Sequence, residues 1–562
     1  MFEIKLVIIG LTMLTVLTSG CSKQSKQDSA DISSENSDSD ADTDSDTDSD
    51  TDSDTDDDPP SSDPEGSDSI TDSSTGGDSG SDEDTEDTDT VPAECRVPAN
   101  EFGAISNCTK VAPPNSFEPE LQWSWTGPDS EVDSIVTPLV ANLTDDNGDG
   151  LINLCDVPDV LVVASMSGGA PYNEGHIYIL DGETGALHLR VPTSVDNTVT
   201  PAIGDIDSDG IPEIVTTDSQ GYLLAFEHDG ILKWQGSEKW PGASTSTDHY
   251  SGAIALADLD EDGDVEIISG EMVSDHNGNL LWIAPYESGP WSATTVANLD
   301  GKPGLEVVLG NTAFHADGSE YYINSEIIAG YPQVADMDGD GLPEVLVTNA
   351  NGLSMLEHDG TTKYRDLTPT GTATVGTNWV RPATIFDFDG DEAAEFAMSS
   401  GSAYTAYESD ATIIWSAQVS DTSGIAAGTA FDFLGDGTSE AMYADEHNMF
   451  IFDENGQSLL QMPRTSGTLT EYPVVADIDN DGSAEIVVVS NGGSPTVQVI
   501  RDIGDRWIQA RRIWNQHTYH VTNVREDGTI PRVEPNSWEL FNTFRTNIQI
   551  ENGGLCNAVV LE

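Results

Sequence analysis

Nine-residue acidic segments recur along the chain, and their spacing sets up cation chemistry. The fullest copy is DMDGDGLPE, with Asp336, Asp338 and Asp340 two residues apart, Gly341 sixth and Glu344 ninth. A tight loop can turn alternate carboxylates toward one point, and a glycine in sixth place permits the conformation that closes it. The carbonyl of Leu342 and the carboxylate of Glu344 extend the shell of hard oxygens. Such a shell suits Ca²⁺, which takes about six to eight oxygen ligands. Without a cation the three aspartates would repel one another. An EF-hand places its last acid twelfth, on a helix; here the ninth-position acid opens a β-rich stretch, VLVT.

Four more copies keep this grammar. Their ligand sets are Asp205, Asp207, Asp209, the Ile211 carbonyl and Glu213; Asp258, Asp260, Asp262, the Asp264 carbonyl and Glu266; Asp387, Asp389, Asp391, the Ala393 carbonyl and Glu395; and Asp477, Asp479, Asp481, the Ser483 carbonyl and Glu485. Two copies are eroded: NLDGKPGLE carries Lys302 in fifth place and DFLGDGTSE carries Leu434 in third. The Lys302 loop is expected to be metal-free, its ammonium standing where an ion would sit. A further copy near Asn142 to Asp159 is enlarged: Asp145, Asn147, Asp149, Gly150 and Asp156 fit an EF-hand-like spacing, and Asp159 stands where the strand-opening acid belongs.

Other chemistry is sparse. His517 and His520, in HTYH, could meet a metal but lack a nearby third ligand, so packing or hydrogen bonding is the expected role. No HExxH, GxSxG or Gly-rich phosphate loop occurs. Acidic pairs are so common that two close carboxylates do not indicate glycosidase chemistry.

The elements that position the acids read as short strands. Residues 200–235 give PAIGDI, EIVTTD, YLLAFE and ILKW, separated by DG and QG turns. Four strands per unit at a period of about 38 to 60 residues suggest propeller blades. No long stretch has 3.6-residue amphipathicity, which argues against a helical repeat. LQWSWTG, residues 121–127, is like the repeat strands ILKWQG and NLLWIA and reads as a displaced strand that helps close a ring.

DxDxDGxxE loops between short apolar strands resemble the FG-GAP/VCBS repeats of integrin-α-like β-propellers, over about residues 120–500. The resemblance implies an all-β propeller of seven to eight four-stranded blades, with Ca²⁺ loops on one rim and partner binding mainly elsewhere.

The chain has 562 residues, 101 acidic against 20 basic side chains, and a net charge of −81. Such a field repels nucleic acid and anionic lipid and attracts divalent cations. Residues 1–20 read as a signal peptide, with the apolar run LVIIGLTMLTVL. TSGC resembles a bacterial lipoprotein cleavage box and implies a lipid-modified Cys21, with delivery to the outer membrane or cell surface. Residues 21–92, rich in Asp, Ser and Thr, have too few apolar groups to offset chain entropy and are expected to be a disordered linker. Residues 93–120 form a Cys-containing lead-in, 121–500 the propeller, and 501–562 an Arg/Trp-rich closing segment. Apart from Cys21, the cysteines Cys95, Cys108, Cys155 and Cys556 form an even set compatible with two disulfides, read as Cys95–Cys108 and Cys155–Cys556. The closing segment, with Arg511, Arg512, Arg545, Trp507 and Trp514, could bind sugars or anionic polymers. The competing expectation, that these groups pack inside the ring closure, is the favoured one.

These features point to a calcium-binding, lipid-anchored surface protein whose propeller is a non-catalytic binding or adhesion module for polysaccharide or surface protein. A polysaccharide lyase or hydrolase on the same scaffold is the alternative, and a purely structural envelope component a third.

Overall fold

The computed structural model describes residues 116–166, 174–241, 252–286, 293–369 and 379–550, together with 92, 95–98, 101–103 and 113. The signal-peptide and linker expectations, Cys21, Cys108 and Cys556 lie outside these residues.

β-branched and aromatic runs between Gly- and Asp-rich turns fold into eight antiparallel sheets, each built on four strands in meander order. In chain order the blades span 139–190, 202–239, 252–283, 295–323, 331–367, 384–418, 428–463 and 474–502. The count is therefore eight, and the eroded copies at 298–306 and 432–440 each belong to a complete blade. Blade 8 draws its outer strand from Pro119–Trp125, which pairs with Val497–Asp502. The strand read as displaced thus closes the ring.

Burial follows from the stacking of blades face to face. The second strands Asp159–Ser165 and Glu344–Asn349 are buried along their whole length, whereas the outer strands Leu187–Arg190 and Leu232–Lys239 are largely exposed. Apolar clusters bridge neighbours: Leu346 of blade 5 with Phe396 of blade 6, Met442 of blade 7 with Ile486 of blade 8. The rings of Tyr404 and Tyr443 stack 4.7 Å apart between blades 6 and 7.

One local device recurs in all eight blades. The pairing of the third and fourth strands slips by one residue, a β-bulge, at His188, Lys233, Leu281, Tyr321, Lys363, Ile414, Leu459 and, in the closing strand, Gln122. A bulge re-aims the side chain at the extra residue. The residue after it reaches the next blade: a Cβ on Gly278 would lie 2.5 Å from the Trp234 ring, and one on Gly456 would lie 2.8 Å from the Trp415 ring. Glycine, with its positive φ and no side chain, lets these hairpins lie against the aromatic ring, and in blade 6 Ala411 takes the same place at φ 66° beside Tyr364.

The closing segment occupies the axis of the ring. It hydrogen-bonds the inner strands of several blades in turn, through Trp514 N to Val140 O (2.9 Å), Asn515 Nδ2 to Ile203 O (3.1 Å) and Asn547 Nδ2 to Val475 O (2.9 Å). Blade 6 contributes Ile385 N to Phe544 O at 2.9 Å. Trp507, Trp514, Arg511 and Arg545 are buried. Arg511 is held by Tyr519 Oη, Val521 O and Phe102 O at 2.9 Å each, and Arg512 by Glu526 Oε1 at 2.8 Å. This is the packing role, not a surface platform. His517 stacks on Tyr331, and His520 binds Glu534 Oε1 at 2.7 Å.

The disulfide reading is corrected. Cys95 bonds Cys155, not Cys108. The lead-in docks on the enlarged loop of blade 1, where Leu154 N donates to Cys95 O at 3.1 Å, so the partner near in space lies 60 residues away.

Candidate metal centres

Every blade carries one acidic loop between its first and second strands, so all eight share one rim. In each nonapeptide loop the first-position side chain, Asn298 in blade 4 and an aspartate elsewhere, accepts from backbone N–H groups. Asp205 takes those of Asp209 and Gly210 at 3.1 and 3.0 Å, and Asp336 those of Asp340 and Gly341 at 3.2 and 2.9 Å. Blade 6 has Glu392 in the sixth position at φ 71°, doing what glycine does elsewhere. The fifth-position acid accepts the N–H of the seventh residue, as Asp209 does from Ile211, Asp262 from Asp264, Asp340 from Leu342, Asp391 from Ala393 and Asp481 from Ser483.

The ninth-position glutamate is buried in every nonapeptide loop. One of its oxygens accepts the N–H of the second loop residue: Ile206, Leu259, Met337, Phe388 and Ile478, at 2.7–3.0 Å. The eroded loops keep this bond, through Glu306 to Leu299 and Glu440 to Phe433. In blade 1 Asp159 takes the role, with Leu143 N at 2.9 Å, as expected of the strand-opening acid. The enlarged loop is held by Asp145, which accepts from Gly148, Asp149 and Gly150, and by Asp156, which accepts from Asp146, Asn147 and Asn153.

The second oxygen of the glutamate faces the other acids, and its surroundings divide the loops. In blades 2 and 5 a lysine reaches it from the bulge. Lys233 Nζ lies 3.0 Å from Glu213 and 2.6 Å from Asp207, and Lys363 Nζ lies 2.9 Å from Glu344 and 2.5 Å from Asp338. In blade 4 His315 Nδ1 binds Glu306 at 2.8 Å and Lys302 Nζ binds Asp300 at 2.6 Å. Lys302 thus binds one loop acid, Asp300, from a side chain that is 72% exposed, while Asp300, Glu306 and His315 bring their ligand atoms within 4.8 Å of one another. In blade 1 His188 lies 3.4–3.8 Å from Asp146, Asp159 and Asp181.

Blades 3, 6 and 8 have no lysine or histidine at that glutamate oxygen among the described residues; basic groups nearby are His276, 3.9 Å from Asp264 in blade 3, and Arg512, whose guanidinium acts on Asp477 in blade 8. Glu395 Oε1, Glu485 Oε1 and Asp477 Oδ1 are buried without a hydrogen-bond partner. The four acids Asp387, Asp389, Asp391 and Glu395 each bring an oxygen within 4.8 Å of the others, and Asp258, Asp260 and Asp262 do the same. Burial pushes Glu266 and Glu395 up to about 8, and the neighbouring aspartates add to it. Burial drives Asp477 to about 8 against the pull of the Arg512 guanidinium, and burial with the loop aspartates drives Glu485 well above the carboxylate range. Burial also raises Glu213 and Glu344, but their lysines hold them at about 7. A buried carboxylate without a counter-charge is costly, and a bound cation would remove that cost.

Sequence reasoning located the loops and missed the bulge residues. A signal was present: His188, Lys233, Leu281, Tyr321, Lys363 and Leu459 each stand three residues after a hairpin glycine.

A cleft of about 630 Å³ opens between the loops of blades 6 and 7 and the 537–540 turn of helix. Its lining includes Asp389 and Asp436 together with Phe386, Phe431, Leu540 and Phe541. Among the described residues no helix is long and apolar enough to cross a membrane.

The fold and rim define an eight-bladed β-propeller with an acidic loop in every blade. Residues 205–269 and 336–398, within blades 2 and 3 and blades 5 and 6, match the FG-GAP-like repeat. No curated protein matches the chain. Among solved structures, the Vibrio cholerae biofilm matrix protein Bap1 is similar at 21% identity and TM-score 0.65, over 80% of this chain and 100% of that one. An exotype rhamnogalacturonan lyase, YesX, gives 15% identity and TM-score 0.49, over 80% and 84%. A Bacillus licheniformis rhamnogalacturonan lyase gives 16% and 0.48, over 77% and 81%.

Proposed function

We propose that the chain is a calcium-binding, surface-exposed lipoprotein, anchored through Cys21, whose propeller is a non-catalytic binding module for an extracellular polysaccharide or surface protein. The observation that carries the calcium part is the set of buried, unpartnered oxygens: that of Glu395, within the cluster of Asp387, Asp389 and Asp391, and those of Glu485 and Asp477, beside Asp479 and Asp481. Asp387, Asp389, Asp391 and Glu395, with their counterparts in blades 3 and 8, would hold the ion. Ca²⁺ would neutralise them and tie the first strand of the blade to the second; its role is structural.

The binding part rests on the exposed rim. The cleft between blades 6 and 7 pairs carboxylates with aromatic rings, a combination that suits hydroxyl-rich sugars through hydrogen bonding and ring stacking. The arginines that offered a lyase-like cation, Arg511, Arg512 and Arg545, are buried on the axis, away from any polymer. A place in an extracellular matrix fits the fold shared with Bap1.

A glycan array and a surface-protein pull-down, each with and without Ca²⁺, test the reading. Binding without bond cleavage is expected. Cleavage of any bound glycan overturns the non-catalytic assignment, silence in both screens overturns the binding role, and a melting curve unmoved by excess EDTA overturns the calcium role.

A further inference from the structure

We propose that the bulged residue of each outer strand selects which acidic loops take a cation, and that Lys233 and Lys363 stand in for the ion in blades 2 and 5. The inference rests on the calcium reading of the lysine-free loops and divides the five full loops into two kinds.

The bulge falls at one place in every blade, so the residue there meets the acidic loop in a fixed relation. Where it is lysine, the ammonium joins the third-position aspartate to the ninth-position glutamate, the same two carboxylates that an ion in the loop must share. Its remaining contact is Glu227 Oε1 at 3.0 Å in blade 2 and Glu357 Oε1 at 3.5 Å in blade 5. Three carboxylates therefore face the three donors of each ammonium. The oxygens of Asp205, Asp207 and Glu213 do lie within 4.8 Å of one another, as in a metal cluster, but Lys233 already binds two of the three acids. A divalent ion entering there would compete for those oxygens against a tethered like charge.

Blades 3 and 6 carry Leu281 and Ile414 at the bulge, which supply no charge. Blade 8 carries Gln122, whose amide donates to Asp479 Oδ2 at 2.7 Å and is neutral. It is in blades 6 and 8 that Glu395, Glu485 and Asp477 keep a buried oxygen unpartnered. The lysine loops are thus closed without metal, and the others depend on it. When calcium is withdrawn, blades 2 and 5 should hold their loops while blades 3, 6 and 8 loosen theirs.

The test counts ions on the full-length protein, stripped with EDTA and titrated with Ca²⁺ by equilibrium dialysis. The variants are Lys233→Leu, Lys363→Leu and Ile414→Lys, with Lys233→Met and Lys363→Met should the leucines fail to fold, as judged by circular dichroism. Each lysine replacement is expected to add one bound ion per chain, and Ile414→Lys to remove one. Unchanged counts in the folded variants of a wild type that binds calcium would overturn selection by the bulge and leave the calcium reading standing. A wild type that binds none overturns both, and this outcome is distinguishable from the first.

Discussion

Trp123 donates its indole N–H to the carbonyl of Gly182 at 2.7 Å, joining the outer strand of blade 8 to the outer hairpin of blade 1. The same ring lies under Gly185, where a Cβ would meet it at 2.5 Å. Trp282 makes the corresponding contact between blades 3 and 4, donating to Ala316 O at 2.8 Å. The ring is therefore closed by the contact that joins its blades elsewhere, and closure rests on a strand supplied from the N-terminal side.

Trp123→Ala should cost about 3–5 kcal/mol, since Trp123 is buried and its removal leaves a cavity as well as an unpaired carbonyl. Urea unfolding gives the number. Trp123→Phe should recover most of the packing but not the hydrogen bond. A loss below about 1 kcal/mol for the alanine variant would mean that the seam is held by the backbone pairing alone.

Glu485→Gln separates charge from shape in the metal loops. The amide oxygen can still accept the Ile478 N–H, which Glu485 Oε2 accepts at 3.0 Å, while the buried charge is gone. In EDTA the variant should melt above the wild type, by about 1 kcal/mol or more of stability, because one of the two buried, unpartnered carboxylates of that loop is gone and only Asp477 remains. In millimolar Ca²⁺ the order should reverse, since the wild type gains an ion that the variant holds poorly. Differential scanning calorimetry under both conditions reads the crossing, and parallel curves would sink the assignment of Glu485 as a ligand.

Much of this was legible because the repeat states it eight times. Each acidic loop could be placed between two strands from the apolar runs on either side, and LQWSW could be matched to ILKWQ by its own residues. What stayed hidden depends on register and on long-range neighbours. Lys233 and Lys363 look like ordinary strand residues until the slip in pairing turns them onto the loop. Arg511 and Arg545 suggest a charged surface, yet backbone carbonyls and Tyr519 accept from the terminal nitrogens of Arg511 in the interior, and His517 O and Gly428 O accept from Arg545. Carbonyl partners leave no trace in residue types. The Cys95–Cys155 bond was missed because proximity in sequence favoured Cys108, while the lead-in docks on blade 1.

That bond should be recovered as a Cys95–Cys155 cross-linked peptide when the oxidised protein is digested without reductant. Cys155→Ser should lower stability by up to about 4 kcal/mol, the chain-entropy value for closing a loop of this length. The loss should be matched by adding reductant to the wild type if this is the disulfide that matters most. A larger effect of reductant than of the substitution would point to a second stabilising bond.

The axis makes its own demand. Arg511→Met keeps much of the side-chain volume but strips donors from Tyr519 Oη, Val521 O and Phe102 O, all met at 2.9 Å. Hydrogen bonds to charged groups contribute about 1.5–3 kcal/mol each when one partner is lost, and orphaned buried carbonyls add to the cost. A destabilisation of about 3 kcal/mol or more is expected by chemical denaturation. A substitution of Arg532, which is exposed, should stay within about 0.5 kcal/mol. Equal, small effects at both positions would mean that the closing segment is not the axle of the ring.

Asp196 offers a pH test away from the metal loops. It is 2% exposed, its Oδ1 accepts from Thr198 N and Oγ1 at 2.9 and 2.7 Å, and its Oδ2 has no partner. Burial pushes its carboxyl up to about 6, against the hydrogen bonds from Thr198, which pull it down. The unfolded chain ionises this group near the ordinary value of about 4. Between those limits the folded state holds the proton more tightly, so stability falls as pH rises through the window, and the penalty persists above it. Asp196→Asn removes the titration. Variant minus wild-type stability should be lower at pH 3.5 than at pH 7 by roughly 1–3 kcal/mol, since a tenfold change in proton affinity is worth about 1.4 kcal/mol. The difference cancels the titrating groups that do not interact with Asp196, and a value that does not change with pH would mean that Asp196 is ionised in the folded protein at no cost.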